Sequence, residues 1–274
     1  GQFSLSGNTT GIENTAAGQA ALSVNSSGGQ NTAVGNDALR NNTTASNNTA
    51  VGKSALKENT TATANTGLGK SALESNTTGY SNTAVGKDAL SANTTGNLNT
   101  AVGVFSLDAN TTGHSNTGCG YGTLTDNTTG GSNAAFGYDA LKDNTTANNN
   151  TAVGRSALEL TTTGGQNSAL GTYSLDANTT GTYNTGLGYN TLGANSSGSY
   201  NTAIGSDALK DNTTANNNTA AGYRALYSNT TGTTNSAVGA DSMKSTTTGQ
   251  QNTALGQEAL RDNTTASYNT AIGK

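Results

Sequence analysis

Residues 82–103 read NTAVGKDALSANTTGNLNTAVG, so the five residues NTAVG at Asn82–Gly86 return at Asn99–Gly103, seventeen residues later. The same Asn recurs at that interval from Asn14 through Asn31, Asn48 and Asn65 to Asn269, with no insertion or deletion. A fixed period with one small structural unit per repeat is the signature of an array or solenoid, and it governs every local reading. With the recurring Asn as position 1, the unit is NTAVGxxALxxNTTGxx, and the 274 residues are sixteen units and two residues. Residues 1–274 therefore read as one uninterrupted array with no capping repeat at either end, which predicts a segment of a longer fibre.

Many small polar residues and few aromatics would suit a disordered chain. The register argues against disorder, because disordered spacers drift in length. Here position 5 is always Gly, and position 9 is Leu in every unit except at Met243. Seventeen residues are too few for a helical hairpin, and a Gly and an NTT in nearly every unit interrupt a helical face. Two short extended segments, around TAV and around AL, with Gly and Asn at the turns, fit one coil of an all-β parallel β-solenoid of about sixteen coils. Coils about 4.8 Å apart would make an array roughly 75 Å long.

Stacking places identical residues above one another, which explains the constant interval. Asn14, Asn31, Asn48, Asn82 and Asn99 at position 1 are expected to form an amide-to-amide ladder. Gly35, Gly52, Gly86 and Gly103 at position 5 are expected to supply the turn. Two aliphatic seams are expected to fill the core, Val34, Val51, Val85 and Val153 at position 4 and Leu39, Leu56, Leu90 and Leu141 at position 9. By the same stacking, Cys119 at position 4 reads as a buried thiol. Position 3 is only Ala or Gly, so something must cover it: the opposite wall of the same thin coil or a neighbouring chain, of which the neighbour is the expected cover, giving a trimer or fibre bundle.

Position 12 carries a second pattern, NTT or NSS, that fits the N-glycosylation acceptor. It occurs at Asn8, Asn25, Asn42, Asn59, Asn76, Asn93, Asn110, Asn127, Asn144, Asn178, Asn195, Asn212, Asn229 and Asn263. Asn41, Asn47, Asn149 and Asn217 fit it by accident of neighbouring residues. The competing reading is that Asn and Thr simply build the turn.

The recurring NTAVG, with variants NTAIG at Asn201–Gly205 and NSAVG at Asn235–Gly239, resembles the motif of the β-roll heads of trimeric autotransporter adhesins. It also resembles the repeat shafts of phage and large-virus tail fibres. The resemblance implies a left-handed parallel β-roll and a trimeric surface fibre that touches other cells or matrix. The unit here is longer than in the adhesin heads, and the chain shows neither their stalk and anchor nor the chaperone segment of tail fibres.

Chemistry is sparse. Charged residues are 10%, the net charge is -4, and no basic patch for nucleic acid or apolar run for a membrane exists. His114 stands alone, the Asp residues at position 7 lack a calcium-binding pattern, and no nucleophile, base and orienting group recur together. No cofactor, metal site or catalytic residue is expected. The sequence predicts a structural or adhesive fibre at the cell or virion surface, displaying positions 6, 7, 10, 11, 16 and 17 to a host glycan or protein. Ranks of Thr leave an ice-binding solenoid as one alternative, and a glycosylated scaffold filament as another.

Overall fold

Two opposed requirements shape each coil. Three consecutive residues must extend to pair with the coils on either side, and fourteen must return the chain to the same place. A computed structural model describes residues 1–274, with three-residue strands at positions 2–4 of every unit and no helix. The strands run from β1 (Thr15–Ala17) and β2 (Thr32–Val34) through β8 (Ala134–Phe136) to β16 (Thr270–Ile272), and their order in the sheet is their order in the chain. Pairing is parallel and places like on like, as in Thr32↔Thr49, Ala33↔Ala50 and Val34↔Val51. The chain divides into two units, Gly1–Ala135 and Phe136–Lys274, built of the same coil.

After the strand, Gly at position 5 adopts φ values of 111–144°. At Gly35 (φ 138°) an added Cβ would overlap the carbonyl of Gly52 in the next coil, so Gly35, Gly52, Gly86 and Gly103 answer both to backbone angle and to close stacking. Overlapping turns follow. In the coil from Asn31, Ala38 N–H donates to Gly35 O (3.4 Å), Arg40 N–H to Asp37 O (3.3 Å) and Asn42 N–H to Leu39 O (3.2 Å). Asp37 and Leu39 hold left-handed backbone, at φ 57° and 50°. The AL segment expected as a second strand is therefore a turn, because residues at positions 7 and 9 alternate into a conformation that no strand contains.

The interior is small and half polar. Leu39, Leu56, Leu90 and Leu141 at position 9 are fully buried, as are the Ala residues at positions 3 and 8 away from the end coils, among them Ala33 and Ala38. Val34 and Val51 are 38% and 39% exposed, and Val85 and Val153 are half-buried, so the position-4 seam is not in the core. Alternation explains the correction: Thr at 2 and Val at 4 share the face opposite to Ala at 3, and a coil this thin admits only the small residue inward. Cys119 is accordingly exposed rather than buried. The expected cover of position 3 by a neighbouring chain is also corrected. Ala33, Ala50 and Ala152 are fully buried within the single chain, against the wall that carries the Leu rank. At Gly67 an added Cβ would lie 3.4 Å from Leu56 Cγ.

That packing is size-matched. Ser106 and Thr123 replace Ala at position 8 and share a hydroxyl hydrogen bond of 2.7 Å, and position 3 beside them is Gly118, where a Cβ would stand 2.6 Å from Ser106 Oγ. Ser174, Thr191 and Gly186 repeat the arrangement.

Two buried Asn ranks line the rest of the interior. At position 12, side-chain amides bond directly: Asn42 Nδ2 donates to Asn25 Oδ1 (2.8 Å) and Asn93 Nδ2 to Asn76 Oδ1 (2.7 Å). At position 1 the ladder runs mainly through the backbone. Asn48 N–H donates to Asn31 Oδ1 and Asn99 N–H to Asn82 Oδ1 (both 3.0 Å), while the direct amide contact is longer, 3.2 Å from Asn99 Nδ2 to Asn82 Oδ1. Asn31 likewise donates its backbone N–H to Asn14 Oδ1. Both ranks close their coil by clasping the position-15 carbonyl, as Asn31 and Asn42 do at Ala45 O (2.9 and 3.0 Å). Burying an amide is tolerable only when its donors and acceptor are satisfied, and stacking like on like achieves this.

Candidate interaction face

Each strand turns Thr, or occasionally Ala or Ser, outward at position 2 and an apolar residue outward at position 4. No strand position in any coil carries a charge. In unit 1 the face includes Val34, Val51 and Val102, and in unit 2 Leu170 (49% exposed), Leu187, Ile204, Val238 and Leu255. Between the two ranks in unit 2 lies a shallow groove of about 250 Å³, walled by Thr151, Thr185, Val153, Leu170 and Leu187 over Ala169 and Gly186. Its floor is low because position 3 points inward and leaves only backbone outside. A contiguous apolar strip of this kind marks an interaction surface more often than bare solvent exposure.

The variable positions make a different surface. Lys53, Lys70 and Lys87 at position 6 are exposed, and Lys87 pairs with Asp88 (2.8 Å) and lies 4.5 Å from the centre of the Phe105 ring. In unit 2, Arg155 lies between Tyr138 and Tyr173, 5.8 and 5.7 Å from their ring centres, and Tyr173 meets Tyr189 edge to face. Tyr183 and Tyr200, both at position 17, stack at 4.9 Å. These aromatics hold one another across coils, each pair contributing roughly 0.5–1.5 kcal/mol. Lys210 donates to Tyr227 Oη (3.0 Å), which raises the pKa of its amine.

Asp108 and Asp176, both at position 10, are the most perturbed carboxyls, and burial also raises Asp139 above the ordinary carboxylate range. Burial pushes each up to about 6, reinforced at Asp108 by the charges of Asp126 and Asp88 and at Asp176 by Glu159. No group of three or more His, Cys, Asp or Glu side chains converges as a metal site would require, and His114 is exposed. No helix is long and apolar enough to cross a membrane.

The acceptor Asn residues lie elsewhere than a modified surface requires. Asn25, Asn42, Asn59, Asn76, Asn93, Asn110, Asn127, Asn144, Asn178, Asn195, Asn212 and Asn229 have no exposed surface. Only Asn8 and Asn263, in the end coils, are half-buried. The folded coil uses those position-12 amides as its internal ladder, the structural role that competes with acceptance of a sugar. The signal in the sequence was the second Asn itself: two Asn per unit with one interior admit two ladders.

No known family matches the chain, and no curated protein does either.

Proposed function

We propose that the chain is a structural fibre segment of the extracellular or virion surface, which packs against copies of itself through the outward sheet face. The β-solenoid repeat fold is compatible with a structural fibre role. The observation that carries the reading is the charge-free strip of position-2 and position-4 residues with its groove, which covers nothing within the chain. An aliphatic rank from a second copy fits between a Thr rank and an aliphatic rank, and burying each such side chain contributes roughly 1.5–3 kcal/mol before the costs of association. Positions 6, 7, 10, 11, 16 and 17 stay outside that contact and are the surface displayed to a host glycan or protein.

Sedimentation of the full chain tests this. The expected result is an oligomer that Leu170→Lys combined with Leu187→Lys converts to a monomer with an unchanged β-sheet circular dichroism. Cys119 stands in the position-4 rank and reports independently: a maleimide should label it slowly in the assembly and quickly in the monomer. A monomeric parent chain overturns the reading.

A second reading rests on the same face, since Thr hydroxyls and methyls repeat from coil to coil in register on an uncharged sheet, as ordering of an ice lattice would need. Inhibition of ice recrystallisation by a monomeric chain would favour it.

A further inference from the structure

We propose that the N-glycosylation sites of the folded chain are Asn47, Asn149 and Asn217, and that the far more numerous acceptor triplets at position 12 are not sites. The chemistry of the transfer decides between them. The carboxamide nitrogen forms a bond to the anomeric carbon of an oligosaccharide carried on a lipid pyrophosphate; the anomeric carbon–phosphate bond breaks, the lipid pyrophosphate leaves and one N–H proton is lost. The acceptor amide must therefore give up one N–H and have room for a sugar beside it.

At position 12 neither condition is met. Asn93 Nδ2 donates one hydrogen to Asn76 Oδ1 (2.7 Å) and the other to Gly96 O (2.9 Å), and the residue is fully buried. Losing the first bond would leave the buried Asn76 Oδ1 unsatisfied, losing the second would leave Gly96 O held by Asn82 Nδ2 alone (2.9 Å), and the sugar would occupy the space of a neighbouring coil. Asn41, in Asn41-Asn42-Thr43, is half-buried, with its amide committed to Glu58 Oε2 at 2.7 Å.

Position 17 meets both conditions. Asn47, Asn149 and Asn217 are exposed, stand outside both Asn ladders, and head the triplets Asn47-Asn48-Thr49, Asn149-Asn150-Thr151 and Asn217-Asn218-Thr219. All three hold left-handed backbone (φ 62°, 61° and 60°), the conformation that Asn adopts more readily than most residues. The Thr of each triplet lies on the outward strand face, at position 2. The inference does not depend on self-association.

The test is secretion of the full chain, behind a leader peptide, from a eukaryotic host. Release of the sugars by peptide N-glycosidase in heavy-oxygen water converts each glycosylated Asn to a mass-tagged Asp. In the protease-resistant fraction the tags are expected at residues 47, 149 and 217, and the triple variant Asn47→Gln, Asn149→Gln, Asn217→Gln should be secreted folded and without sugar. A second measurement covers the case in which sugars added before folding prevent it: sugar-free folded chain is given a purified oligosaccharyltransferase and its lipid-linked donor, and the same three residues should react. Tags at position 12 in folded protein, or untagged Asn47, Asn149 and Asn217 in both experiments, overturn the proposal.

Discussion

Thr246 takes the place of the position-12 Asn, and the Oδ1 of Asn229 in the preceding coil is left buried with no hydrogen-bond partner. Thr161 makes the same replacement, and its own Oγ1 is buried and unpaired. Replacing Thr246 by Asn restores a donor to Asn229, and the variant is expected to be more stable by about 1–3 kcal/mol, read from the denaturant midpoint at constant slope. The Leu rank gives the opposite case. Leu141→Asp puts an uncompensated carboxylate into a fully buried site, and a loss of about 3–5 kcal/mol is expected. Asp139→Ser, on the outer side of the same turn, should be nearly silent, and equal protease sensitivity of the two variants would count against the inward placement of position 9.

Within one coil, the backbone angles discriminate between positions that look alike in sequence. Position 5 needs Gly, so Gly86→Ala should unravel its coil and show as a local protease site, whereas position 7 is left-handed but accepts side chains, from the buried Ser71 to the half-buried Asp88. Gly122 already occupies position 7 in one coil at φ 62°. Ser71 holds φ 57° there, and Ser71→Gly should stabilise by about 0.5–1 kcal/mol in denaturant melts, the relief of a left-handed L-residue less the added freedom of the unfolded chain. Here the limit of sequence reading is visible. The strand at 2–4, the turn at Gly and the stacked Leu were legible because period and residue type agree on them. The turn across positions 7 to 9 was not, because Leu gives no sign of a positive φ. Its trace was the recurrence of Asp37, Asp88, Asp139, Asp207 and Asp241 at position 7, with Asn190 beside them, residues that tolerate the left-handed region. Read only against a calcium-binding pattern, they concealed a backbone requirement. Which face of TAV is inward was similarly hidden, since apolar character favours Val and only the width of the coil favours Ala. The candidate face followed the same way: its residues were legible, but as core. Register itself is open to a direct test. Deleting residues 201–217 removes one whole unit and should preserve the fold, whereas deleting 201–216 moves every later residue out of its ladder and should abolish cooperative melting of the downstream coils.

Taken over the whole molecule, stability should depend on pH through Asp108 and Asp176. Both have folded pKa values raised from 3.8 to about 6 by burial, and both have an Oδ1 that is buried without a hydrogen-bond partner. Between those values the folded chain binds more protons than the unfolded one, so stability is greatest below pH about 4 and falls as the pH rises through about 6. Denaturant melts at pH about 4 and about 7.5 should show that decline, and Asp108→Asn with Asp176→Asn should flatten it by raising stability at the higher pH. The Asn ladders carry a further consequence. Backbone hydrogen bonds between coils run both ways: Leu39 N–H donates forward to Ala55 O, and Gly52 N–H donates back to Val34 O. The Asn columns do not alternate, although the position-13 hydroxyls run against them, Thr43 Oγ1 donating forward to Thr60 O. Asn42 donates to Asn25, Asn59 to Asn42 and Asn76 to Asn59, always towards the earlier coil. An amide dipole is about 3.5 D, larger than that of the hydroxyls opposing it, and a column of such amides pointing one way makes each unit electrically polar along its stack, with amide donors facing out at its first coil and amide acceptors at its last. Such a body turns to align in an applied field, and in a crowd of its own kind it meets a neighbour's last coil more favourably than a neighbour's first.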